Sequence, residues 1–131
     1  MATATNTFKT SLLPNNANPQ PDTLRETFNI TTIAAAGTTQ ATATAIGNTQ
    51  PFVILSNNTA ANGVVLPTAA FIGQVITVYP SLVTNAPLVY PPVGGTINFG
   101  TANAGVASTA RKAVEYIAID RTGLNYVTKG L

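Results

Sequence analysis

The side chains able to do acid–base or nucleophilic chemistry are few. The acids are Asp22, Glu26, Glu115 and Asp120, and the bases are Lys9, Arg25, Arg111, Lys112, Arg121 and Lys129. His and Cys are absent, so the usual zinc sites and His-based triads lack their ligands and base. A glycosidase pair needs two carboxylates about 5–9.5 Å apart across a cleft. Asp22 and Glu26 fall in a Pro-rich stretch. Glu115 and Asp120 have odd spacing, which on a strand sends their side chains to opposite faces. Ser56, Ser81 and Ser108 have no base beside them. Gly94-Gly95 and Gly100 lack the Lys-Ser/Thr of a phosphate-binding loop. We expect no enzyme, no metal and no cofactor.

Binding of nucleic acid is not expected either. The net charge of +2 is too small for a basic stripe. Tyr79, Tyr90, Tyr116 and Tyr126 are not interleaved with bases, so they suit a core or an interface better than a base-stacking platform. No apolar run approaches the roughly 18 residues of a membrane helix, and no signal-peptide h-region is visible. Without Cys there is no disulfide framework, which suits assembly in a reducing cytoplasm.

The elements that would position any site are strands. From Asn62 to Gly100 the chain reads NGVVLPTAAFIGQVITVYPSLVTNAPLVYPPVGGTINFG. Val64–Leu66, Val75–Tyr79, Leu88–Tyr90 and Thr96–Phe99 fit short strands, punctuated by Gly, Pro and Asn, which favour turns. We expect a β meander here. Pro51–Ser56 is a further strand with Phe52 and Ile54 on one side and Val53 and Leu55 on the other. Apolar residues on both sides imply cover on both faces, by a second sheet or a neighbouring subunit. Phe28–Ala34 reads as the first strand, and Gln40–Ile46 as a weak Ala/Thr strand. Ala113–Ile119 and Leu124–Thr128 read as two strands around the turn Asp120-Arg121-Thr122-Gly123. Within this stretch, Lys112, Val114, Tyr116 and Ala118 share one face, and Ala113, Glu115, Ile117 and Ile119 the other. Glu115, if buried, needs a base on an adjacent strand; the plainer reading is a solvated strand end.

Residues 1–27 differ. They hold Pro14, Pro19 and Pro21 and few apolar anchors, Phe8, Leu12, Leu13 and Leu24. Such a stretch cannot close a core and reads as an extended arm, with Asp22 suited to cap one helical turn. The arm is either a tether that orders on a partner or a segment without fixed structure. Residues 28–131 are expected to form an all-β domain, a β-sandwich or jelly-roll-like arrangement. The sequence is 45% hydrophobic and 8% charged, against roughly a quarter charged in average chains. No charged residue lies between Thr27 and Ala110. Isolated domains use charge to stay apart, so this surface is expected to be covered by other subunits. The plainer alternative is a Thr/Asn-rich domain that is simply soluble.

The succession GVVLP, GQVITVYPS, LVYPPVGGTIN and TANAG, within Ile30 to Val127, resembles a pattern in small β-domain virion proteins of tailed phages. Such sequences often place a Trp in the last strand; here that strand reads Leu124-Asn125-Tyr126, and the chain has no Trp. The resemblance implies a virion location and a capsid decoration (cement) role: binding the major capsid protein from outside, as a homo-oligomer, preferably a trimer. The alternative it implies is a head- or tail-fibre domain that binds a host-surface glycan. On the decoration reading, Phe8, Lys9, Leu12, Leu13, Leu24 and Arg25 would contact the shell. The subunit-interface candidates are Phe52, Val53, Leu55, Tyr79, Tyr90, Glu115 and Arg111. The loops 56–63 and 80–87 hold little aromatic content, which favours cement over a fibre tip.

Overall fold

The computed structural model describes residues 29–56, 61–82 and 86–130. They form nine strands and no helix. In chain order these are β1 (Ile30–Ile33), β2 (Thr44–Ala45), β3 (Phe52–Leu55), β4 (Gly63–Val65), β5 (Val75–Pro80), β6 (Leu88–Tyr90), β7 (Val106–Ala107), β8 (Val114–Ala118) and β9 (Tyr126–Gly130). The arm positions Phe8, Lys9, Leu12, Leu13, Leu24 and Arg25 lie outside the described residues, as does Phe28.

Two sheets enclose one core. The first has the order β9-β8-β5-β3-β1 and the second β2-β4-β6-β7. From β1 to β6 the chain alternates between the sheets, so each return lays a strand parallel to one placed two strands earlier. β1 pairs with β3, β3 with β5, β2 with β4 and β4 with β6, all parallel. Parallel strands need a long crossover, and here each crossover contains a strand of the opposite sheet. The antiparallel strands come last: β7 on β6, β8 on β5 and β9 on β8. The expected meander over 62–100 is therefore corrected to a parallel winding closed by antiparallel strands.

Local departures have identifiable causes. Thr96–Phe99 is not a strand: Ile97 makes a single bridge to Tyr126, and Asn98 and Phe99 then turn left-handed at φ 55° and 60°. Only Thr44–Ala45 of the Ala/Thr run pairs, because residues 39–43 turn back through Thr39–Thr42 hydrogen bonds. The final strand starts two residues later than expected, after Asn125 is held by Asp120. The short strand β7 carried no sequence signal beyond Val106.

Val53, Leu55, Val64, Ile76, Val78, Val89, Tyr116, Ala118 and Tyr126 fill the space between the sheets. Each Val, Leu or Ile side chain so buried contributes on the order of 1.5–3 kcal/mol. The alternation holds within Val114–Ala118: Tyr116 and Ala118 are buried, while Glu115 and Ile117 are half-buried on the other side; Lys112, read on the Tyr116 face, lies before the strand and is exposed.

Candidate functional site

The outer face of the five-stranded sheet is built by strand register. Parallel and antiparallel partners point to the same side, so Ile30, Phe52, Thr77, Glu115 and Lys129 form one row across all five strands. Thr32, Ile54 and Tyr79 form a second, and Val75, Ile117 and Val127 a third. Seven of these eleven side chains are apolar or aromatic. Ile30 is 56% exposed and Val75 37%. Glu115 lies opposite Lys129, with Nζ 3.9 Å from Oε1. This is the base from an adjacent strand, and the pair sits at the β9 edge of the face. Exposed pairs of this kind contribute at most about 1 kcal/mol.

The proposed interface residues divide. Phe52 and Tyr79 stand on the outer face, half-buried, and Glu115 joins them. Val53 and Leu55 do not: both point inward and are fully buried in the chain's own core. Their apolar character serves the second sheet, not a second subunit. Tyr90 is corrected as well. It lies on the outside of the second sheet, with its ring against Gly63 and Gly105. There it is buried by its own chain, and its hydroxyl donates to the Thr38 carbonyl at 3.1 Å. A Cβ on Gly63 would stand 2.6 Å from that ring, so only glycine fits. Arg111 is exposed at the far turn, left-handed at φ 57°, with its backbone N–H on the Pro80 carbonyl.

Other exposed apolar residues were not singled out in the sequence: Phe71, Ile72, Val93 and Phe99, at 64, 54, 74 and 79% exposure. All sit within two residues of Gly or Pro in turns or bends. Phe99 borders an open cleft of about 720 Å³ with Thr96, Ile119, Asp120 and Asn125. The polar groups there hold each other. Asn125 donates to Asp120 Oδ2, and its own Oδ1 accepts from the Thr96 N–H and hydroxyl. Asp120 Oδ1 accepts from Thr122 and the Gly123 N–H. These bonds, Asn125 first, hold the Asp120 carboxyl below its ordinary pKa. A second open cleft of about 510 Å³ lies outside the second sheet and includes Gln40, Ala43, Ala45, Val65 and Val93.

Among the described residues no group of three or more His, Cys, Asp or Glu side chains is placed to hold a metal ion. No helix there is long and apolar enough to cross a membrane. No family model matches the chain, and no curated protein matches it.

Proposed function

We propose that this chain is a capsid decoration protein of a tailed phage, acting from outside the assembled shell on the major capsid protein. The observation that carries the reading is the outer face of the five-stranded sheet, where Ile30, Phe52, Ile54, Tyr79, Val75, Ile117 and Val127 lie in register beside one ion pair. A continuous apolar face marks an interaction site on a folded domain. A ligand that binds only the assembled shell stabilises that state by mass action. Self-association into a homo-oligomer, a trimer by resemblance, would cover further parts of the neutral surface. The test is co-sedimentation with shells lacking the protein, followed by heating. We expect saturable binding and a raised shell disruption temperature. Shells that neither retain nor respond to the protein refute the reading.

A second reading is a fibre domain that binds a host glycan. It is favoured by Phe99, exposed on a left-handed backbone beside the Asp120–Asn125 cleft. An aromatic face next to carboxylate and amide groups suits a sugar ring. Retention of the protein on immobilised host polysaccharide, lost with Phe99→Ala, would move the assignment to this class.

A further inference from the structure

Asn62-Gly63 is the only Asn-Gly step in the sequence. An Asn followed by Gly loses its side-chain amide readily, because glycine leaves the backbone free to turn and sets no Cβ beside the attacking nitrogen. In that reaction the Gly63 backbone nitrogen attacks Asn62 Cγ. The new N–C bond forms as the bond from Cγ to the side-chain nitrogen breaks. The Gly63 amide proton leaves with that nitrogen as ammonia. The resulting succinimide ring takes up one water, which opens it to aspartate or to β-linked aspartate. The chain and water supply every atom.

The fold holds the reacting groups apart. The Asn62 side-chain Nδ2 donates to the Ala35 carbonyl at 3.1 Å. The Gly63 N–H, which must give up its proton, donates instead to the Ala36 carbonyl at 3.3 Å, and the Gly63 carbonyl accepts from the Ala36 N–H at 3.1 Å. The Asn62 carbonyl accepts from the Leu88 N–H at 2.9 Å. The side-chain amide and the attacking nitrogen are thus each tied to a different carbonyl of Ala35-Ala36, whereas ring closure needs them turned on one another. Freeing them disturbs the core. Ala35 and Val64, the neighbours on either side of these bonds, are both at 0% exposure, and Gly63 is packed under the Tyr90 ring. A group that reacts only from an opened state does so in proportion to the population of that state.

Neither product suits the native site. Aspartate sets an acceptor-only carboxylate where the Asn62 amide donated to the Ala35 carbonyl, and an acceptor facing an acceptor loses the bond and its partner's satisfaction together. β-Linked aspartate routes the main chain through the side chain. The carbonyl that received the Leu88 N–H then leaves the backbone, and the pairing of Gly63 with Leu88 is displaced. Either product also brings a charge into a stretch that has none from Thr27 to Ala110. We propose that Asn62-Gly63 is a latent deamidation site, silenced by the folded state, whose conversion marks chains that have opened and hinders their return to the native fold. This modification is independent of what the outer face of the first sheet binds.

The test follows the full-length protein in mildly alkaline buffer, with and without guanidinium chloride. Peptide mapping by mass spectrometry reads the amide, aspartate and β-linked aspartate forms at position 62 over time. We expect conversion at least about 100-fold slower in buffer than in guanidinium. Equal rates in the two solutions overturn the proposal. Val64→Ala removes the core contact next to the site. Whether this variant melts lower or fails to fold, its buffer rate should rise by roughly tenfold or more, with its guanidinium rate that of the parent. A buffer rate unchanged by Val64→Ala shows that opening does not control the reaction, and overturns the proposal. For the second half, Asn62→Asp supplies one product directly. We expect a lower Tm than the parent, and an equal Tm overturns the claim that conversion hinders the fold. Partly converted chains diluted out of guanidinium give the same reading for both products: the refolded peak from size exclusion should be depleted of converted position 62. Converted chains refolding in proportion to their share of the mixture overturn it.

Discussion

The Tyr126 hydroxyl donates to the Pro67 carbonyl at 2.7 Å, tying the last strand of the first sheet to the residue that follows the second sheet's β4 run by two positions. Tyr126 is fully buried, so its ring fills the core while its hydroxyl anchors a loop 59 residues earlier in the chain. Removing the hydroxyl in Tyr126→Phe keeps the packing and leaves the carbonyl without this donor. We expect a loss of about 1 kcal/mol, read as a lower urea midpoint at unchanged slope.

The same tyrosine sets an alkaline limit. Burial pushes its pKa from 10.0 up to about 12, and burial pushes Tyr116 higher still. A folded value above the unfolded one means the stabilisation is complete below pH 10 and is lost as pH rises through about 12. Unfolding free energy should therefore fall from about pH 10 upward. Tyr126→Phe should flatten part of that fall; an unchanged alkaline slope in this variant would count against the assignment.

Asp120 acts at the opposite end of the pH scale. Its folded pKa is depressed, so its contribution is complete above the ordinary carboxylate value of 3.8 and is lost as pH falls through the folded value. Asp120→Ala removes the acceptor for Thr122, Gly123 and Asn125 together. We expect a lower Tm at neutral pH, and a difference from the parent protein that shrinks in strong acid. A Tm gap that persists undiminished there would show that the carboxylate charge is not its source.

Gly63 tests the outer packing of the second sheet. A methyl group at this position meets the Tyr90 ring at 2.6 Å and the Leu88 carbonyl at 3.0 Å. Gly63→Ala should push the ring off its seat and cost about 1–3 kcal/mol by overpacking. The double variant Gly63→Ala/Tyr90→Leu should recover part of that loss, a coupling that thermal melts of the four proteins in the cycle would measure.

The outer face of the first sheet can be altered without touching the core. Ile30→Asp with Val75→Lys places charges at two exposed positions, and surface changes of this kind usually alter stability by no more than about 0.5 kcal/mol. We expect an unchanged melt with loss of shell binding. Glu115→Gln should shift stability by less than about 1 kcal/mol, given a 3.9 Å pair with a mostly exposed lysine. Full shell binding by the Ile30→Asp/Val75→Lys variant would exclude this face as the contact.

The sequence alone determined the all-β character, because alternation and turn chemistry are local. Val75–Pro80, Leu88–Tyr90 and the strands flanking Asp120–Gly123 are legible from side-chain period and from Gly, Pro and Asn. It also placed Val114, Tyr116 and Ala118 on one face and Glu115 on the other. What it left open is where each strand goes next. A gap of seven residues joins β3 to β4 in opposite sheets, and a gap of seven joins β8 to β9 as neighbours in one sheet. Gap length and turn residues state that the chain reverses, but not which sheet receives it. That choice belongs to the tertiary structure, since it is made by burying Val53, Val64, Val78 and Val89 together in one core. The same fact decided the candidate face. Val53 and Leu55 look identical in kind to Phe52 and Ile54 along the chain, and only the position of the second sheet makes the first two core and leaves the others facing outward.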